Sequence, residues 1–249
     1  MIRVAKILGL ASALSLVAFL PATADEGVDK AKENLANYSK IPDFVPAGEP
    51  FDAKACMAGK KIFTIPASSA IPFIKTISDH KTKLAQELGF EHMEWENQGN
   101  PTQWIQGMDY AANNGFGLVS LLAGADPRFF EPQVMQTQAK GVKVVTSHLT
   151  GLEQDAPAGV DAAIAIDYHK AGELMADWTI AQTDGKTNAL VLVSTEALST
   201  DSLVAGITYA FKEHCPDCKY EIVNVPIVDW STKVQPTVAG ALQSNPDLN

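Results

Sequence analysis

The residue types able to hold a small molecule fall in one recurrent place, just after short apolar runs. They are Ser68 and Ser69, Asn97, Ser147 and His148, Ser194 and Glu196, and Asp229, joined by the aromatic residues Phe73 and Trp230. Hydroxyl, amide, carboxylate and imidazole groups at such points donate and accept hydrogen bonds. Nothing beside them supplies the machinery of a reaction. The patterns GxSxG, HExxH and GxxxxGK[ST] do not occur in the sequence, so no activated nucleophile, metal-held water or phosphate cradle is signalled. The expectation is a binding site, with no catalytic residue, no cofactor and no metal, in a protein that is not an enzyme.

The cysteines offer the one competing chemistry. Cys215-Pro-Asp-Cys218 has the spacing of a dithiol redox motif. A thioredoxin-like site opens a helix after a strand, whereas this pair follows the expected helix 203–214 and leads into a strand. A loop disulfide or a pair of idle thiols is therefore favoured over redox chemistry. His214 brings the pair one nitrogen donor, which still leaves a zinc site short of its four ligands.

The elements that position these residues alternate regularly. Lys61–Pro66, Glu91–Trp95, 117–122 and Val142–Val145 read as strands, with helices at 72–88, from Pro101 and from Pro127 between them. Asp126 is the expected N-cap of the third of these helices, with Pro127 at its first position, where a missing N–H costs nothing. Parallel strands joined by helices make a doubly wound sheet, whose ligands bind beyond the carboxyl ends of the strands. The rhythm breaks over 150–161, which reads as a crossing segment. It then restarts with a strand at 162–166, a helix from Tyr168 capped by Asp167, strands at 189–193 and 219–225, and helices at 200–214 and 232–243. The fold class is thus α/β with two parallel-sheet lobes, 61–149 and 162–249.

The start of the chain is of another kind. Arg3 and Lys6 precede the apolar run 7–20, and Ala22-Thr23-Ala24 ends it with small residues. That is the form of a secretory signal peptide over 1–24; the run is short for a membrane anchor and has no stop-transfer flank. Residues 25–60 form an extension, with a short charged helix and then a proline-rich stretch, expected to wrap the first lobe. The formal net charge is −10, and loss of Arg3 and Lys6 makes the mature chain more acidic still. An acidic exported chain without a basic stripe is a poor partner for nucleic acid, and none is expected.

With these residues in hand, the chain resembles the type I periplasmic solute-binding proteins of ABC importers, the group that includes the ribose-binding proteins. The resemblance runs from Lys61 onward and rests on the order of AIPF (Ala70–Phe73), LLAGADP (Leu121–Pro127) and GVKVVTSH (Gly141–His148). It continues through AIDYHKAGELMADW (Ala165–Trp178), AGITYAF (Ala205–Phe211) and VDW (Val228–Trp230). It implies two lobes that close on a small polar solute, a sugar or sugar-like compound, by hinge motion. It implies a monomer in the periplasm that delivers its solute to an ABC permease in the inner membrane, or, as the alternative, presents it to a chemoreceptor or sensor kinase. It also implies an incomplete second lobe, with roughly 60–100 family residues lying beyond Asn249. Phe73 and Trp230 match positions where ribose-type proteins stack rings on a sugar. The pattern departs at His148, which replaces an acidic residue, and at Leu149 and Leu203, each of which replaces an arginine. These departures set the chain apart from simple pentose binders.

Overall fold

The computed structural model describes residues 24–249 apart from Phe44 and Ala47, so the expected signal peptide, all but its last residue, lies outside the described residues. In chain order the elements are α1 (Ala24–Asn37), α2 (Ala53–Met57), β1 (Lys61–Pro66), α3 (Pro72–Leu88), β2 (Glu91–Glu94), α4 (Pro101–Asn113) and β3 (Leu118–Leu122). They continue with α5 (Glu131–Ala139), β4 (Lys143–Ser147), β5 (Ala162–Ile164), α6 (Tyr168–Gln182) and β6 (Asn188–Val193), then α7 (Thr200–His214), β7 (Lys219–Asn224) and α8 (Trp230–Ser244). Strand order is β2-β1-β3-β4-β5 in one sheet and β6-β7 in another, and every pairing is parallel.

Alternation of side chains across the first sheet builds its core. Phe63, Ile65, Val119, Leu121 and Val144 point to one face and pack under α4 and α5 with Trp104, Met108, Phe130 and Val134. The face under α3 is smaller and partly polar, with Ala67, Ile74 and Leu122 apolar and Thr64 and Ser120 beside them.

Three expectations need correction. The strand at 162–166 does not begin the second lobe: Ala162–Ile164 pairs with Val145–Ser147 as the edge of the first sheet. The chain crosses only after Ile166, whose N–H bonds to the Thr150 carbonyl at 3.0 Å. Asp126 is a cap, but of a single 3₁₀ turn, Pro127–Phe129. Its carboxylate accepts from the Arg128 N–H at 2.9 Å and pairs with the Arg128 guanidinium, and this closes the turn so that α5 starts at Glu131. Helix α8 begins at Trp230, two residues earlier than expected, and carries Pro236 inside it.

The extension also lies elsewhere than expected. Helix α1 packs on α6 and α7 of the second lobe, placing Val28 and Ala31 in one cluster with Ala176, Ile180, Ile207, Ala210 and Phe211. Gly27 makes the approach possible, since a Cβ there would stand 1.9 Å from the His214 carbonyl oxygen. Below it the Asn34 amide donates to Glu173 Oε1 at 2.8 Å and to Asp177 Oδ2 at 2.5 Å, and both carboxylates are buried. Lys170 and His214 complete the cluster, His214 Nδ1 lying 2.6 Å from Asp177 Oδ1. Buried carboxylates without donors are costly. Asn34→Ala is therefore expected to lower stability by about 1–2 kcal/mol in thermal or urea unfolding. An unchanged midpoint would mean that α1 is not seated as described.

Helices α6 and α7 touch through glycine on both sides. A Cβ on Gly172 would lie 2.1 Å from the Leu203 carbonyl oxygen, and one on Gly206 1.9 Å from that of His169. At the far end of α7, Cys215 and Cys218 form a disulfide with Cα atoms 5.3 Å apart, so the loop reading of this pair holds. By loop-closure entropy so small a ring contributes about 2 kcal/mol.

Candidate functional site

The site forms where the carboxyl ends of both sheets face each other, as parallel α/β sheets require. A cavity of about 440 Å³ lies between the lobes. The first lobe lines it with Ile71, Phe73, Ile74, Ala123 and His148, and the second with Tyr168, Ser194, Leu203, Val225, Ile227 and Trp230 among others. A second opening, again about 440 Å³, is bordered by Ser68, Gln98 and Ser231 and shares Ile71, Ile227 and Trp230 with the first.

Phe73 is placed by proline. Pro72 takes the first position of α3, and Phe73 follows in the first turn, 60% exposed. Its ring meets that of His148 edge-on, centroids 5.6 Å apart. His148 has φ 54°, a left-handed conformation uncommon for a residue with a Cβ, which aims its ring into the cleft. The Tyr168 hydroxyl donates to its carbonyl at 3.0 Å, so the second lobe grips the backbone at the crossing.

Trp230 comes from the other lobe, at the first position of α8. Its indole N–H donates to Ser194 Oγ at 2.8 Å and to the Val225 carbonyl at 3.0 Å, and Ser194 Oγ donates to the same carbonyl at 2.7 Å. One side chain thus ties the ends of β6 and β7 and still exposes its ring.

The other residues expected at the site serve the loops. Ser69 Oγ accepts from the Asn97 N–H, and the Asn97 amide donates to the carbonyls of Pro66 and Trp95. Asn97 Oδ1 accepts from the Gly99 N–H and from Trp104 Nε1, which uses its full capacity. Ser68 Oγ accepts from the Ala70 N–H, Glu196 Oε1 accepts from the Ile227 N–H at 2.6 Å, and Asp229 pairs with Lys233 at 2.8 Å. Ser147 Oγ is buried with no hydrogen-bond partner among the described residues, one strand position behind His148. The structure thus brings Phe73, His148, Ser194 and Trp230 to one cavity and leaves Ser69, Asn97, Ser147, Glu196 and Asp229 off its lining, with Ser68 at the adjacent opening.

Tyr168 and Ile227 are among the lining residues that sequence reasoning missed. Tyr168 read only as the first residue of a capped helix. Ile227 is buried against the first lobe, where a Cβ on Gly99 or Gly124 would come within 3.5 Å of its side chain. Its signal was a lone apolar pair between Pro226 and Asp229, too short to mark a face. Both glycines have positive φ, 84° and 117°, so the floor beneath Ile227 is glycine for conformational reasons as well as for space.

A family model described as "Periplasmic binding protein domain" matches residues 62–249. The chain belongs to the periplasmic binding protein domain family. Among curated proteins no match is found. Solved structures with this fold include an ABC transporter solute-binding protein from Burkholderia graminis in complex with D-arabinose, 18% identical with a TM-score of 0.64. That match covers 77% of this chain and 64% of the other, so the chain spans less than two thirds of its length. A Mycobacterium smegmatis solute-binding protein with bound glycerol is 20% identical, TM-score 0.63, over 77% of this chain and 64% of that one. One from Clostridium phytofermentas with bound L-rhamnose is 14% identical, TM-score 0.65, over 78% and 60%. These likenesses show the type I fold, with its two parallel α/β lobes. The family and these neighbours are binding proteins.

In this periplasmic binding protein domain, one lysine colours the electrostatics of the first lobe. Lys81, on α3, is partly buried against the sheet and donates to Ser120 Oγ at 2.9 Å. Burial pushes its pKa down to about 8, against the opposing pull of Glu94. Burial first, and then the charge of Lys81, lower the pKa values of His92 and His148 below the ordinary 6.5. The folded state therefore binds these protons less readily than the unfolded chain. The stability that this contributes is present above the ordinary histidine value and is lost as the pH falls below it, toward the depressed values. The melting temperature is expected to fall between about pH 7 and pH 5.5, with a shallower slope in the His92→Asn, His148→Asn double variant. An identical slope in that variant would remove both imidazoles from the account.

Proposed function

We propose that this chain captures a small solute between its two lobes in the periplasm and, as the solute-binding component of an ABC importer, delivers it as a monomer to a permease in the inner membrane. The observation that carries the reading is the cavity at the strand ends, walled by an aromatic ring from each lobe, Phe73 and Trp230. Capture and release need no bond making, which suits a lining in which Ser194 and Trp230 already bond within the protein while the His148 ring faces the cleft. The signal peptide read over 1–24 supports export, and the neighbours' printed ligands (D-arabinose, glycerol, L-rhamnose) support a small uncharged solute. Lobe closure on the solute is supported by Ile227 of the second lobe, which already rests against Gly99 and Gly124 of the first.

The test is a thermal screen of the chain from Asp25 against sugars, polyols, small aromatics and carboxylates. A ligand at about 100 times its Kd stabilises the native state by about 2.7 kcal/mol. A shift confined to one chemical class supports capture. A flat response to all four classes would remove the solute-binding reading.

A further inference from the structure

The backbone at His148 is held from three sides. The Ala123 N–H, just beyond β3, donates to the Ser147 carbonyl at 2.9 Å, and the His148 N–H donates to the Ile164 carbonyl of β5 at 3.3 Å. Both of these bonds lie within the first lobe. The third comes from the second lobe, where the hydroxyl of Tyr168, the first residue of α6, donates to the His148 carbonyl at 3.0 Å. Between these bonds His148 keeps its φ of 54°, a left-handed backbone that is costly for a residue with a Cβ. That conformation places the imidazole on the cavity lining, edge-on to the Phe73 ring. Tyr168 lines the same cavity, half-buried, with Ser199 beside its hydroxyl.

Resting on the capture reading above, we infer that Tyr168 is a positioning residue of the site: its hydroxyl holds the His148 carbonyl in the left-handed turn and so aims the imidazole at the solute only while the lobes are together. The chain crosses between the lobes after Ile166, so Tyr168 travels with α6 while His148 stays at the end of β4. When the second lobe swings away about that crossing, the Tyr168 oxygen leaves the carbonyl. Water then takes its place, and the backbone relaxes to the extended region that a side chain prefers. The imidazole leaves the cleft with it. A solute that bonds to this ring, through its N–H or its acceptor nitrogen, therefore favours the closed arrangement, because the ring is presented only there.

Tyr168→Phe removes the hydroxyl and keeps the ring, and its first test needs no solute. In the wild type, burial and then the charge of Lys81 hold the His148 pKa below the ordinary 6.5. NMR titration of the chain from Asp25, with the His148 signal identified by its loss in His148→Asn, is expected to show that pKa rise toward 6.5 in Tyr168→Phe. His92 on β2, also depressed and bonded to Thr64 and Thr82, should titrate as before and so report an intact first lobe. An unmoved His148 would overturn the positioning role. The second test is a double-mutant cycle, read by calorimetric titration with D-arabinose, L-rhamnose and glycerol. Tyr168→Phe is expected to weaken binding about tenfold in the wild-type background and less than about twofold in His148→Ala, since the hydroxyl acts through the imidazole. Equal losses in the two backgrounds would overturn it. If none of the three probes binds, the solute-free titration decides alone, and capture is judged separately by the thermal screen.

Discussion

Replacement of Trp230 by alanine is expected to weaken solute binding by about 30-fold or more, the equivalent of about 2 kcal/mol. The size follows from the several roles held by one side chain. Its ring walls the cavity from the second lobe and borders the adjacent opening as well, so truncation enlarges both. Its N–H holds Ser194 and Val225 together at the ends of β6 and β7. Large aromatics at the centre of a desolvated contact dominate binding energies, whereas rim contacts contribute little. Trp230→Phe keeps the ring and loses only the hydrogen bonds, so its loss should be smaller, about fivefold. Titration of both variants with the solute that stabilises wild type most gives the order. Wild-type affinity in Trp230→Ala would remove the residue from the site.

Valine at Gly206 is expected to cost about 3 kcal/mol or more in stability, toward the severe end of overpacking changes. The atom that a Cβ would strike is the backbone oxygen of His169 at 1.9 Å, with the Glu173 nitrogen at 2.9 Å, so no side chain can swing aside. Helices α6 and α7 would have to part, which would loosen Ile180, Ile207 and Phe211 and unseat α1 from them. The control reverses the sign. Gly240 in α8 has open space within 4 Å of the point where a methyl group would stand, so Gly240→Ala should stabilise by about 0.5–1 kcal/mol through helix propensity alone. Urea unfolding of the two variants separates the effects, and equal midpoints would contradict the close helix seam.

Where local chemistry decides the structure, the sequence was legible. Pro72, Asn100-Pro101 and Asp167 open their helices as read, and Gly89 ends α3 in the left-handed conformation. The aromatic pair and His148 reach the cavity because strand ends in parallel sheets all point one way, so order along the chain becomes proximity in space. Long-range choices were not legible. Ala162–Ile164 is apolar enough to pair with either sheet, and only the neighbour β4 decides it. The small stripe of α1 fits any helix pair, and its place follows from Asn34 meeting two carboxylates far along the chain. Ser69 and Asn97 show the limit of reading residue type alone. Small polar groups at a strand end brace loops as readily as they meet a ligand, and only their hydrogen bonds tell the two apart.

The claim that everything else depends on is that the solute lies between the lobes. A crystal structure of the chain with its strongest stabilising ligand tests this directly. Density is expected between the Phe73 and Trp230 rings, with a polar atom within hydrogen-bond reach of His148. Density anywhere else, such as against the exposed Met175 and Trp178 on α6, with the cleft empty, would contradict it.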